Sequence, residues 1–182
     1  MPVVVESRRK KPATLEKLWP GATVLDLTSK GVEPWVRFSP FYPHGGIPIP
    51  NMPGQTAQSV EGLWQGLKVF EREDIDPRKW AITDMAGIKR GGKSRGGVRG
   101  HRFGVGSDVL LGYRDARLRI YLPAYRWVLE HRLSAEVEQL RRLADGTLLL
   151  LDYETNPDVD DLSSPLSHAA LVKLYLDGAW PG

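Results

Sequence analysis

Residues 59–70 read Ser-Val-Glu-Gly-Leu-Trp-Gln-Gly-Leu-Lys-Val-Phe. Val60, Leu63, Leu67 and Phe70 recur at the spacing that lines one face of a helix. At about 100° per residue, Glu61, Gln65 and Lys68 then cluster within about 60° on the opposite face. Thr56 is the expected N-cap. The stretch predicts an amphipathic central helix whose polar side carries a carboxylate, an amide and an amine. Solvation alone accounts for most such faces, but Gly62 and Gly66 argue for more. Each costs about 1 kcal/mol against alanine in a helix interior, so close approach by a loop or a ligand must offset them.

Residues 39–54, just upstream, carry proline at 40, 43, 48, 50 and 53 and glycine at 45, 46 and 54. Neither a helix nor a central strand tolerates that density. Phe41, Tyr42, Ile47, Ile49 and Met52 make the segment too apolar for a linker, so it reads as a rigid, partly buried loop displaying side chains. Further upstream, residues 23–28 alternate as a strand and end in the turn Ser29-Lys30-Gly31, and Trp35–Phe38 reads as a second short strand. Residues 1–20 read as a basic lead-in, and 21–182 as the domain.

Downstream, a short helix is expected over 77–85, opened by Pro77. Longer ones follow over 107–119, 122–132 and 135–144, the last with Ser134 as N-cap and Gly146 as terminator. The apolar run 147–153 predicts a buried strand. An acidic loop over 156–165 precedes a last helix, His168–Leu176, with Leu171, Leu174 and Tyr175 facing the core. The expected fold class is α+β: a helix-rich single domain with a few short strands.

The chain has 182 residues, 41% hydrophobic and 26% charged, which is ordinary for one globular domain. There is no cysteine, which excludes disulfides, thiolate catalysis and sulfur-ligated zinc. No apolar run approaches the roughly 20 residues that span a bilayer. Val3-Val4-Val5 precedes Arg8-Arg9-Lys10-Lys11, the reverse of a secretory signal, so a cytoplasmic protein is expected.

The net charge of +3 is too small to argue for nucleic acid by itself, but its distribution is informative. Residues 87–104 hold Lys89, Arg90, Lys93, Arg95, Arg99 and Arg102 among many glycines and no acid. Such a segment is either a mobile insertion or a phosphate clamp, in which glycine admits backbone N–H groups and arginine forks grip the anion. Walker spacing is missing, and a nucleic-acid backbone fits as well as a nucleotide. The acidic residues 152–161 read first as turn formers, and their spacing is wrong for an EF-hand. The four histidines show no metal-ligand spacing, so no metal or cofactor is assigned. If the proline-rich loop covers the polar face of the central helix, a desolvated Lys68 becomes a nucleophile and Glu61 a proton carrier.

These residues carry a resemblance. Arg37-Phe38-Ser39-Pro40-Phe41-Tyr42-Pro43 resembles the Phe-Ser-Asn-Phe-Tyr-Pro opening of the NADAR/YbiA-like superfamily. Ser59-Val60-Glu61, with Trp64-Gln65 and Lys68-Val69-Phe70, resembles its Ser-x-Glu…Gln-Ala-x-Lys-Phe helix. Gly87-Ile88-Lys89-Arg90 stands where that family has a small, basic turn. Residues 148–158 resemble its Leu-Val-Glu…Asn-Asp strand and loop, matched by Asn156 and, one residue displaced, Asp158. The chain departs at Pro40, where asparagine is usual, and at Asp160-Asp161-Leu162-Ser163, where a Trp-Gly pair is usual. The tryptophan before the long helices is also missing, with Tyr113 near its place.

The resemblance implies a YbiA-like fold and hydrolysis of an N-glycosidic bond between ribose and base, with removal of ADP-ribose from guanine as the expected reaction. Other members of the superfamily act on ribosylamino-pyrimidine intermediates of riboflavin synthesis, and a non-catalytic module binding ADP-ribose or nucleic acid is a further alternative. By position, Lys68 is the residue that attacks the ribose C1, with Lys89 as second choice. Glu61 handles protons, and Asp158 activates or stabilises a second group. Phe38, Phe41 and Trp64 stack on the base, and Arg90, Arg95 and Arg99 hold phosphate. Ser39, Tyr42, Gln65, Lys89 and Asn156 complete the substrate-binding set. The implied partners are ADP-ribose or a ribosyl phosphate and single-stranded nucleic acid, with no membrane.

Overall fold

Five consecutive buried residues, Leu148–Asp152, form the middle strand of a three-stranded sheet. In chain order the elements are β1 (Val3–Ser7), α1 (Pro12–Leu18), β2 (Thr23–Asp26), β3 (Ile47–Pro48), β4 (Thr56–Ala57), α2 (Val60–Leu67) and β5 (Lys68–Phe70). Then come β6 (Val98–Arg102), β7 (Leu110–Leu111), α3 (Tyr113–Ala116), α4 (Leu122–His131), α5 (Ser134–Leu143), β8 (Leu148–Asp152) and α6 (His168–Leu176). The class is α+β, as the sequence predicts. The computed structural model describes residues 2–104 and 106–182. Met1 of the lead-in and Val105 of the glycine-rich segment lie outside the described residues. The chain divides into two compact units, Met1–Ser39 with Leu133–Pro181, and Pro40–Arg132 with Gly182.

In the first unit, β1 and β2 both pair in parallel with β8, so that Val5 and Leu25 flank Leu150. A parallel strand covered on both faces reads as an unbroken apolar run, which is why 148–152 shows no alternation. α1 crosses from β1 to β2 and seats Leu15 on Leu149 and Leu151, with Val4, Trp19 and Ala22 around them. Asp152 faces the other way, toward α6. The residues read as a lead-in thus supply an edge strand and its crossover helix; three valines are too few to display a period. Trp35–Phe38 is a 3-10 helix rather than a strand, closed by Arg37 N–H to the Pro34 carbonyl at 3.1 Å and Ser39 N–H to Val36 at 3.0 Å. Its two buried residues, Val36 and Phe38, are spaced as in a strand, which is what the sequence displayed.

In the second unit, the antiparallel sheet β5–β6–β7 packs with α2 and a long helix. That helix is α3 and α4 joined without a break by a π-helical turn, Arg117–Tyr121. The helix expected over 107–119 therefore starts only at Tyr113, because Leu110 and Leu111 pair with Arg102 and His101. The glycine-rich segment is not free chain: its second half is β6, the middle strand. The proline-rich loop is buried through Ile47, Ile49 and Met52, and Ile47–Pro48 pairs with Thr56–Ala57. Thr56 is consequently in a strand, and Ser59 caps α2, its Oγ accepting from Gly62 N–H at 2.9 Å. The short helix expected over 77–85 is a 3-10 turn, Pro77–Ala81, capped by Asp76. It explains the helix glycines. A Cβ on Gly66 would stand 2.1 Å from Trp80 Nε1, and one on Gly62 2.6 Å from the Lys79 carbonyl oxygen. Among the described residues, no helix is long and apolar enough to cross a membrane.

A buried ion pair ties the first unit together. His168 Nδ1 donates to Asp152 Oδ2 at 3.0 Å, and its Nε2 donates to the Leu27 carbonyl at 2.9 Å. With an acceptor at each nitrogen the imidazole is held doubly protonated. Burial pushes its pKa down, but the Asp152 carboxylate and the Leu27 carbonyl outweigh burial and raise it. Burial likewise pushes the Asp152 carboxyl up, and the His168 charge with the Ser167 and Ala169 donors outweighs it and lowers it. The His168 contribution is therefore complete below about pH 6.5 and is lost as pH rises through the raised folded value. The Asp152 contribution is complete above about pH 3.9 and is lost as pH falls through the lowered one. Denaturant titrations of His168→Gln should show a loss of about 3 kcal/mol near pH 6, since Asp152 is left buried without its cation. The alkaline decline of the parent should be absent from the variant; an unchanged decline would remove His168 as its source.

Candidate functional site

The helix α2 stops one residue short of Lys68. Lys68 has φ −67° and ψ 134°, an extended conformation, and begins β5 opposite His101 of β6. Glu61 and Gln65 share the helix face, with Gln65 Nε2 donating to Glu61 Oε1 at 2.8 Å, but Lys68 reaches the site from the strand. The predicted two-turn spacing of Glu61 and Lys68 on one helix is thereby corrected.

Arg90 braces that end of the helix. Its guanidinium donates from Nη1 to the carbonyls of Gln65 at 3.0 Å and Lys68 at 2.6 Å, the Gln65 carbonyl also accepting from Lys68 N–H. Nη2 donates to the Asp74 carbonyl at 2.7 Å and lies 3.2 Å from Glu73 Oε1. The backbone N–H of Arg90 donates to Gln65 Oε1 at 3.1 Å, and the guanidinium lies over the Phe70 ring at 4.9 Å. The side chain is fully buried, so Arg90 is a strut and not a phosphate ligand. Gln65 is buried as well, its amide spent between Glu61 and Arg90. Arg95 is engaged too, with Glu73 and the Gly91 carbonyl. Lys89 and Arg99 are exposed.

Around Lys68 the unit gathers charge and aromatic surface. Burial lowers the Lys68 pKa first; Glu61 opposes the shift, and Arg90 and Lys89 add to it. Lys89 Nζ lies 5.6 Å from the centre of the Phe41 ring. The proline-rich loop is anchored to the first turn of α2, where Glu61 N–H donates to the Pro40 carbonyl at 2.8 Å. On the sheet side, His101 is 2% exposed and neither ring nitrogen has a hydrogen-bond partner. Burial and the Lys68 charge lower its pKa to about 3, so it is neutral throughout the physiological range. Trp64 covers it, ring centres 3.7 Å apart, and meets Tyr121 edge-on at 5.7 Å and Tyr113 at 6.2 Å. Arg117 is buried beneath, 4.2 Å from the Tyr113 ring. Among the described residues, no group of three or more metal-ligating side chains is placed to hold an ion.

The structure thus brings Glu61, Lys68, Lys89, Trp64 and Phe41 into one unit, with Tyr42 half-buried against His44 at 4.8 Å. Phe38, Ser39, Asn156 and Asp158 belong to the other unit. Phe38 is 0% exposed and stacked on Trp35, so it has no face for a base. Ser39 is 2% exposed. Asn156 Nδ2 donates to the carbonyls of Asp161 and Ser164, and its Oδ1 accepts from Asp158 N–H, so the amide is consumed in shaping the loop. Asp158 is exposed and accepts from Asp160 N–H at 2.9 Å, a turn-forming contact. His101, Arg117 and Tyr121 escaped the sequence reading. The steps from Tyr113 to Arg117 to Tyr121 are a usable signal; His101 has none, sitting in the segment read as either a mobile insertion or a phosphate clamp.

The arrangement offers a half-buried amine with a depressed pKa, a carboxylate near it, and an aromatic wall. If Arg90 is a strut, Arg90→Lys keeps the charge but loses the planar fork. Its denaturation midpoint should fall by the equivalent of about 2–4 kcal/mol, as expected when buried carbonyls and Glu73 lose their donor. Wild-type stability in the variant would return Arg90 to the list of ligand-binding groups.

No curated protein and no solved structure matches the chain. Residues 7–172, from the end of β1 into α6, match the model of a family of unknown function, DUF6939. Spanning both units, the match shows that the chain belongs to that family.

Proposed function

We propose that this protein is a hydrolase that cuts the N-glycosidic bond between a ribose and a base, and that its substrate is ADP-ribose joined to guanine in a nucleotide or in nucleic acid. The observation that carries the reading is Lys68, an amine with a lowered pKa beside Glu61. Depression of the pKa raises the neutral, nucleophilic fraction at any given pH. The lone pair of Lys68 Nζ forms a bond to ribose C1, the C1–N bond to the base breaks, and its electrons leave with the base. Glu61 relays the proton that the base gains. Water then adds at C1, the Nζ–C1 bond breaks, and the free amine returns, so the net reaction consumes one water. Trp64 and Phe41 are the aromatic faces available to a base, and Lys89 and Arg99 the exposed cations available to phosphate. The absence of cysteine supports the cytoplasm as its compartment.

A second substrate, a ribosylamino-pyrimidine carrying one phosphate, is favoured by one observation. Arg90 and Arg95 are engaged within the protein, which leaves fewer cations than a diphosphate would use. Incubation with guanine-ADP-ribosylated DNA, and separately with the pyrimidine ribotide, followed by mass detection of the released sugar, decides between them. Release from neither would remove the glycosidase reading and leave a binding module.

Lys68→Arg should abolish turnover and retain binding, because arginine keeps the charge but is not a usable nucleophile. Borohydride added during turnover should trap a sugar adduct on Lys68. Activity in Lys68→Arg would exclude the residue, and Lys89→Arg is then the variant to assay.

A further inference from the structure

The antiparallel sheet sets Lys68, His101 and Leu111 in one row. Lys68 stands opposite His101, and His101 opposite Leu111. Directly opposed residues of an antiparallel pair point to the same face, with Cβ atoms roughly 5 Å apart. The imidazole of His101 is therefore the cross-strand neighbour of the Lys68 amine. The proposed cleavage uses Lys68 and leaves His101 without a task.

His101 is a costly residue to keep in that place. It is 2% exposed, and among the described residues neither ring nitrogen has a hydrogen-bond partner. A buried polar atom left unpaired lowers stability, whereas an apolar ring of the same shape would not. Such an orphan in a native fold calls for a reason, a ligand among them. Arg90 Nε is also unpaired, but the rest of that guanidinium is engaged, whereas His101 has no engaged polar side-chain atom. The chemistry of a fitting ligand follows from the ring. A neutral imidazole offers one N–H donor and one acceptor nitrogen. A hydroxyl both donates and accepts, so it serves either nitrogen in either tautomer. A phosphate or carboxylate oxygen only accepts, and an ammonium only donates. Among the described residues, no group of three or more metal-ligating side chains forms around the ring.

We infer that His101 takes the 2-hydroxyl of the ribose whose C1 faces Lys68, so that the site accepts ribosyl groups and discriminates against 2-deoxyribosyl groups. The Trp64 indole, half-buried over the imidazole with ring centres 3.7 Å apart, turns aside to admit the sugar edge. The 2-hydroxyl sits on the carbon next to C1, as His101 sits next to Lys68. Hydrogen bonds to that hydroxyl strengthen as positive charge builds at C1 during glycosidic cleavage. The inference rests on the glycosidase reading for the orientation of the sugar.

Methyl ribofuranoside phosphorylated on its primary hydroxyl, and its 2-deoxy counterpart, are the probes. Both are capped at C1 and inert to an amine, and each is titrated into the full-length chain by calorimetry. The wild type should bind the ribosyl probe about tenfold more tightly, equivalent to about 1.4 kcal/mol. His101→Phe keeps a flat ring and removes both nitrogens. It should bind the two probes alike, with wild-type affinity for the 2-deoxy probe, which reports that the site is still formed. His101→Leu is a second apolar variant with the same expectation, and His101→Gln, which restores a donor and an acceptor, should restore part of the preference. Four results would each overturn the inference: no binding of either probe, equal affinity in the wild type, a preference that survives in both apolar variants, or loss of both probes by the same factor in those variants. Because neither probe is turned over, a preference abolished by His101→Phe in a protein that cleaves no N-riboside would sink the glycosidase reading alone.

Discussion

The buried guanidinium of Arg90 is the constraint around which the second unit is organised. At the end of α2 the carbonyls of Gln65 and of the capping residue Lys68 both point at one planar donor. Because the fork also reaches Asp74 and Glu73, it fixes the chain that follows β5 along with the end of α2. Extended backbone from Lys68 onward can then join β6. The position of the candidate nucleophile thus depends on a buried residue that holds its carbonyl and whose charge adds to the lowering of its pKa. A charge buried this completely is costly; four acceptors meet its two terminal nitrogens, while Nε is buried without a hydrogen-bond partner.

Elements whose pattern is local were legible in the sequence. The run at 148–152, the helix His168–Leu176 and the buried proline-rich loop all follow from side-chain order, and so does the overall class. Most of the misreadings turned on a partner distant in sequence; that of Trp35–Phe38 is local. Helix α2 loses Lys68 to a strand thirty-odd positions on. Trp35–Phe38 copies strand spacing while its backbone closes 3-10 bonds. Arg90 and Arg95 looked like free cations because Glu73 precedes them by a loop. Within the candidate site, Glu61, Lys68 and Trp64 were found by motif, whereas His101 depends on the pairing of β5 with β6, which no local period announces.

The aromatic wall has a different origin. Tyr113, Arg117 and Tyr121 stand four apart, and the π-helical turn that spans Arg117–Tyr121 widens the helix where Trp64 meets it. Such a turn carries one residue more than an α-helix needs, and it persists where the added bulge aims side chains usefully. Here it lets the downstream helix keep Tyr125, Val128 and Leu129 buried while the upstream residues serve the wall. Packing and site geometry are thereby decoupled along one continuous helix.

The two ends of the chain build one unit, and the stretch between them builds the other. This has a consequence for biosynthesis. β1 and β2 emerge early, yet they are not neighbours: the strand that separates them, β8, is made last but one of all the elements. Until residue 148 and beyond leave the ribosome, two apolar strands wait with their inner edges unpaired, the condition that invites association with other chains. The second unit, one continuous segment apart from Gly182, suffers no such delay. The basic run at residues 8–11 bears on that delay. Placed directly after the first waiting strand, it is the kind of charged flank that keeps nascent apolar segments apart.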